Sequence, residues 1–523
     1  MISPPISEFL RNLRTQDVTG ASLDDAGEAI RVHGVTSRLG GFYERLRYLI
    51  DYKEEHTIRR SAIERMLKRK LVFDHRKEMG HSLVKELISG GYLPNNSVSE
   101  KTALDVQHII DAYAGLEQVV QSRSVDPGVV APITSLMASE VEALWYTAPI
   151  DELVAKAFYE SVQPHITCDV PFPEAEFNTQ IYIACRRTLL RNDDQAIQYV
   201  FWRDAVPEWR SEKSMDDMSA CADRYISFAA AMRVELDHPL GNLLSAKLRN
   251  HAIYFRTIKE IAETQGIAAM RILEDPKLLD REVEKLLEPK YKKVGERARQ
   301  SGIRAVAYVM ATKMILAIAG ELPYEFFILH AVNYPALGIN VVFHPVLLLV
   351  ITRSIAPLGA KNTQYILDGM HEVLYDQNRQ IIRIKTKKLT GALAACFAIC
   401  YGIFVLVIFG LILWLLHRLY FNVVSMALFL FFLTLVSYVG LRIRYSAQVW
   451  SVRRSEEEGG FSLLWGLITL PIVRVGRWMS KTFSSINIFI FIMDFMIETP
   501  FKLLLSVFDA FISFLKEKKE ETY

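Results

Sequence analysis

Leu389–Leu416 is a run of 28 residues without one charged side chain, and an equally uncharged run, Phe421–Leu441, follows after only four residues. A bilayer core about 30 Å thick takes roughly 20 apolar residues of helix at 1.5 Å rise, so each run is long enough to cross alone. Fifteen Leu, Ile, Val and Phe residues stand between Gly391 and Leu416. Each favours insertion by about 0.3 to 0.6 kcal/mol near a helix centre, several kcal/mol together. A buried helix of a soluble core rarely needs apolar residues around its whole circumference. The pair therefore predicts an integral, multi-pass membrane protein.

The flanks predict its orientation. Arg379, Arg383, Lys385, Lys387 and Lys388 precede the first run, and Arg442, Arg444, Arg453 and Arg454 follow the second, whereas the connection His417–Tyr420 holds only Arg418. Basic residues stay on the cytoplasmic side, so both termini are expected inside and the turn outside. Trp414 and Tyr420 fit an interfacial belt at the outer end, and Arg442 and Arg444 fit the inner one.

With 523 residues and 51% hydrophobic content, the chain has room for soluble and embedded parts. A formal charge of +2 argues against a global polyanion-binding surface, and no nucleic-acid partner is expected. Five cysteines form neither a CxxC nor an even framework, which fits a reducing compartment. The first ten residues carry Pro4, Pro5 and Glu8 where a secretory leader would be basic and then apolar.

The stretch 1–300 reads as a cytoplasmic all-α region of eight to twelve helices. Gly41–Phe73 places Leu46, Ile50, Ile63, Met66, Leu67 and Leu71 on one face by three-and-four spacing. Gly90 and Gly91 end a helix, Ser97 with Glu100 has capping-box spacing, and Asn192–Asp194 offers another start. Pro171 and Pro173 suggest a division into subdomains 1–170 and 171–300. On 53–77 a basic stripe that includes Arg59, Arg60, Arg69 and Lys70 is expected to be a solvated helix face, with lipid contact as the next alternative.

Segment 301–388 has two readings. Ile303–Ala319 is apolar apart from Arg304, Thr312 and Lys313, and Val341–Ile351 is interrupted by His344 and Pro345. The helices lie against the membrane or the anchor with Lys313 reaching the interface along its methylene stem, or they form a second hairpin. The insertion costs of Lys313 and Pro345 favour the first. Lys292, Lys293, Arg297, Arg299 and Arg304 before, Arg353 and Lys361 after, and no Lys or Arg between Gly320 and Asn340 permit the second. Both keep the number of crossings even.

After the hairpin at 389–441, 442–523 reads as amphipathic helices on the membrane surface and a cytoplasmic tip. Arg474, Arg477 and Lys481 recur three and four apart among apolar residues that include Trp465 and Trp478. Asp494, Glu498, Lys502 and Asp509 fall on one polar stripe of the next helix. The helix lies flat on the inner leaflet with that stripe toward water, packs its broad apolar surface on the cytoplasmic domain or on a second copy, or spans the membrane with Asp494, Glu498 and Lys502 lining a polar path.

No phosphate loop, GxGxxG, HExxH, GxSxG or paired CxxC occurs. His165 and Cys168 are three apart without further ligand residues nearby, short of the four that structural zinc takes. No catalytic residue, metal site or cofactor is expected, and the chain is not expected to be an enzyme.

Ile303 through Lys313 to Pro323 and Tyr324, Asn333–Pro345, and Ile497 with Pro500, Phe501 and Lys502 together resemble a group of multi-helix membrane proteins of reduced-genome bacteria that have no assigned activity. The resemblance spans about the last 220 residues. It implies a bacterial inner-membrane setting and no catalytic residues. The leading expectation is a membrane-anchored helical scaffold or docking protein that contacts the lipid bilayer and a protein partner or a second copy. The alternative is a subunit of a transport or export assembly with polar groups inside the membrane.

Overall fold

The computed structural model describes residues 2–19, 30, 55–73, 78–96, 98–124, 126–146, 149–207, 209, 215–375, 381–385, 391–452 and 460–485. Among them the chain is all-α apart from one pair of three-residue strands. It forms two compact units.

The first unit holds α1 (Pro4–Thr19), α2 (Glu55–Phe73), α3 (Met79–Ser89), α4 (Glu100–Arg123), α5 (Pro127–Tyr146), α6 (Pro149–Val162), α7 (Glu174–Leu189), α8 (Asp194–Ala205), α9 (Met215–Leu236) and α10 (Pro239–Gln265). The helix starts follow from side-chain chemistry. Asp193 caps α8 by accepting from the Ala196 N–H at 2.9 Å, which satisfies one of the free amides of a first turn. Ser97 lies outside the described residues, and Ser99 caps α4 instead, accepting from the Thr102 N–H at 3.3 Å. Pro239 opens α10 at a position where its missing N–H costs nothing.

One core runs through Met66 and Leu67 of α2, Tyr113 of α4, Leu136 of α5, Trp202 of α8 and Tyr225 of α9. Helices on both sides of Pro171 share it, so the apolar interior passes the expected division near 171. The two units instead part between Ile267 and Ala268. Inside this core the buried Glu140 accepts from the Tyr113 hydroxyl at 2.6 Å and the Trp209 ring N–H at 3.2 Å.

Arg59, Arg60, Arg69 and Lys70 of the basic stripe on α2 are paired and at least half-buried rather than a solvated face. Arg60, 2% exposed, is paired with Asp193 at the start of α8. Arg59 reaches Glu142 of α5 at 3.2 Å, and Arg69 and Lys70 both meet Glu86 of α3. Burial pushes the Glu142 carboxyl up to about 7, against the lowering effect of Arg59 and Arg60. The strands β1 (Ile166–Cys168) and β2 (Ile382–Ile384) pair in parallel within this unit. They are too short to show the alternation that marks a strand in sequence.

The second unit holds α11 (Ala268–Glu274), α12 (Pro276–Leu316), α13 (Tyr334–Arg353), α14 (Ala360–Tyr375), α15 (Ala392–Arg418), α16 (Val423–Ala447) and α17 (Gly460–Ser485). Four of its helical stretches are long and apolar enough to cross a membrane: Pro276–Ile328, Tyr334–Arg353, Ala395–Arg418 and Val423–Ala447. The apolar part of the first is longer than Ile303–Ala319, because α12 continues through two π-type stretches, Ala317–Glu321 and Tyr324–Ile328. Gly320, Glu321 and Pro323 suggest a break there. A π turn bonds each N–H to the carbonyl five residues back, as Leu329 does to Tyr324 at 3.3 Å, so the helix carries on past the proline.

α12, α13 and α16 pack together, and Leu348 of α13 is fully buried with Val309 and Val436. A Cβ on Gly440 would stand 2.8 Å from Ile351 Cγ2, a close approach of α13 and α16 that only glycine permits. α15 presents its outward residues, among them Phe397, Leu406 and Leu411, without cover.

Candidate functional site: a polar chain inside the apolar helices

The continuation of α12 places Val309, Lys313, Ala317, Glu321 and Glu325, each four residues from the last, on one buried face. Lys313 is 1% exposed, so its ammonium does not reach out along its stem; it turns inward. Lys313 Nζ donates to Asn340 Oδ1 of α13 at 2.7 Å and lies 4.3 Å from the centre of the Phe432 ring of α16. A buried cation over an aromatic face gains from the negative face of that ring.

The other end of the same amide holds the acid. Asn340 Nδ2 donates to Glu321 Oε1 at 2.6 Å, and Ser425 Oγ at the start of α16 stands 3.5 Å from Glu321 Oε2. Glu325 is one step further along. It accepts from Asn422 Nδ2 at 2.6 Å and from the Asn333 backbone N–H at 2.9 Å. Both asparagines are helix caps as well: Asn422 Oδ1 accepts from the Ser425 N–H at 2.8 Å, and Asn333 Oδ1 from the Ala336 N–H at 3.2 Å. Asn333 Nδ2 also donates to the Tyr420 carbonyl at 3.1 Å. The turn after Ile328 and the turn after Arg418 therefore meet at one end of the unit.

His344, fully buried, lies four residues beyond Asn340 on α13. Its Nδ1 is 3.1 Å from the Asn340 carbonyl oxygen and its Nε2 is 3.0 Å from that of Phe429. The rings of Phe429, Phe343 and Phe432 surround it with centroids at 4.7, 5.5 and 5.9 Å. Pro345 removes an amide donor that the helix would otherwise use, yet α13 runs unbroken past it. Beyond His344 the packing is apolar. Polar side chains thus run from the two turns to His344, and Val309, Leu348 and Val436 form an apolar cluster of the same three helices.

The residues singled out from sequence stand elsewhere. Trp414 is exposed with Arg418 stacked on it at 5.5 Å, and Tyr420 is 82% exposed in the turn. Arg442 and Arg444 are exposed in the last turns of α16. On α17, Arg474, Arg477 and Trp478 face outward, with Arg474 5.6 Å from the centre of the Tyr401 ring of α15. This helix lies against the middle of α16: a Cβ on Gly476 would overlap the Thr434 carbonyl oxygen, and Ile472 packs with Phe429 and Leu433. The side chains of Trp465 and Lys481, and all of Asp494, Glu498, Lys502 and Asp509, lie outside the described residues.

His344, which in the sequence interrupts the apolar run Val341–Ile351, enters the site. Glu321, Glu325, Asn340 and Asn422 were not singled out, because breakers and caps explain such residues locally. The legible signal was the four-residue spacing from Lys313 through Glu321 to Glu325.

Fold and site define an all-α chain with four helices long and apolar enough to cross a membrane, three of which enclose buried acids, a lysine and a histidine. No protein family, curated protein or solved structure matches the chain.

Proposed function

We propose that the chain is a multi-pass protein of a bacterial inner membrane, with both termini cytoplasmic, and that it moves a small ion through the polar chain of its membrane unit as a transport component rather than an enzyme. The observation that carries this reading is the burial of Lys313, Glu321 and Glu325 among helices otherwise fit for lipid. Ionisable groups at such depth are expensive and commonly mark an ion pathway. The positive flanks of both hairpins give the orientation, with the paired turns outward. The helical first unit then stands in the cytoplasm as a docking platform for a protein partner or a second copy.

A second reading rests on the fact that each polar group of the chain has a partner inside the unit. The network then serves only to fix helix register, and the protein is a membrane-anchored scaffold. Reconstitution of the full chain into liposomes separates the two. Under an imposed potential, proton, sodium or potassium flux is expected from the wild type, reduced at least tenfold in Glu321→Gln and kept in Leu470→Ala. Wild-type liposomes that pass none of the three ions leave the scaffold. In right-side-out vesicles, single cysteines at His330 and Tyr420 should both react from outside; labelling from opposite sides overturns the topology.

A further inference from the structure

We propose that His344 is the proton-binding residue of this site, so that the ion moved is H⁺. The proposal rests on the transport reading above and names its substrate.

Two independent features of the geometry carry it. The first is hydrogen-bond count. Both ring nitrogens of His344 face carbonyl oxygens, Asn340 at 3.1 Å and Phe429 at 3.0 Å. A carbonyl oxygen only accepts, and a neutral imidazole has one N–H, so in that form one nitrogen turns a lone pair toward another lone pair. The imidazolium donates to both.

The second is charge count. Among the described residues, the titratable and charged side chains of this buried network are Lys313, Glu321 and Glu325 of α12 and His344 of α13, and α16 adds the neutral Ser425 and Asn422. Counted as one ammonium and two carboxylates, the group carries one net negative charge while His344 is neutral, in surroundings that solvate charge poorly, and the charge that faces the ring is the Lys313 ammonium over the same Phe432 ring. One proton on His344 brings the group to zero.

The same contacts disfavour a metal cation. Each carboxylate already accepts from N–H or O–H groups, Glu321 from Asn340 and Ser425, Glu325 from Asn422 and Asn333. A coordinated metal would have to displace those donors. A proton needs only the bare ring nitrogen. It arrives from water at the paired turns, forms the second N–H bond, and leaves its former base behind at that side. Release reverses the bond, to the same side while Val309, Leu348 and Val436 stay packed and to the other once they part.

The test uses the full, unsubstituted chain in liposomes. Phe343–His344 is the one Phe-His pair in the sequence, so carbonyl ¹³C-phenylalanine with ¹⁵N-histidine selects His344 by solid-state NMR. Two protonated ring nitrogens are expected at the acid end of a titration from pH 3.5 to pH 8, with conversion to one as the pH rises. In parallel, a trapped pH dye should report proton uptake that falls at least tenfold in His344→Gln and persists in His417→Gln. A ring that stays neutral from pH 3.5 to pH 8 overturns the proposal, whatever the flux. Sodium or potassium flux without proton flux overturns it too and leaves the transport reading standing. No flux of any ion, with a titrating His344, removes transport and leaves the proton site.

Discussion

Lys313→Met tests the pairing of charges across Asn340. The ammonium and the Glu321 carboxylate bond to opposite ends of one amide, at 2.7 and 2.6 Å. Their charges therefore lie about 6 Å apart, worth about 3 kcal/mol at an effective dielectric constant of 20. Removing one partner of a buried pair typically costs about 3–5 kcal/mol, because the other charge is stranded. For a unit of this size each kcal/mol moves the melting temperature by about 2–4 °C. Lys313→Met should thus lower the midpoint of detergent-solubilised full-length protein by about 10 °C in a near-ultraviolet circular dichroism melt. Adding Glu321→Gln to the same chain removes the stranded charge and should restore about half of the loss. A single substitution that leaves the midpoint unchanged, or a double one whose loss equals the sum of its parts, would refute the pairing.

Glu142 makes the first unit sensitive to pH. Its carboxyl keeps a proton up to about pH 7 in the fold, against 4.5 when unburied, so its contribution is full below 4.5 and lost as pH rises through 7, about 3 kcal/mol in all. Denaturant midpoints should fall from pH 5 to 8 in the wild type and flatten in Glu142→Gln; a wild-type midpoint that rises over that interval counts against the burial. Gly476→Leu should separate α17 from α16, since even a Cβ there overlaps the Thr434 carbonyl oxygen. Cysteines at Thr434 and Met479, whose native side chains meet at 3.3 Å through Oγ1 and Sδ, should be joined by a short bifunctional thiol crosslinker while Gly476 is kept and not once Gly476→Leu is added; equal yields would place α17 elsewhere.

What was legible in the sequence was whatever is local. Uncharged length marked α15 and α16, and a side-chain cap marked the start of α8, because both signals lie within a few adjacent residues. The ion pairs of α2 were not legible, since Arg59 and Arg60 find Glu142 and Asp193 more than eighty residues away. Glycine, glutamate and proline at 320–323 resemble a helix end, yet π turns absorb the irregularity and turn Glu321 and Glu325 inward. Lys313 argued against a crossing on the cost of a lone charge, and that cost is offset by Asn340 and Glu321, whose positions depend on how α12 and α13 pack.

Pro276–Ile328 is one helical shaft of 53 residues, about 80 Å from end to end. Tyr291, partway along it, is gripped by Asn362 of α14 at 2.8 Å, and Asn362 also holds the Trp450 carbonyl at 2.8 Å. A rod clasped at that point behaves as a lever. A tilt of about 5° over its whole length swings one tip about 7 Å relative to the other, and because Pro276 lies about 22 Å from the clasp and Glu321 about 45 Å, a displacement at Pro276 is roughly doubled by the time it reaches Glu321.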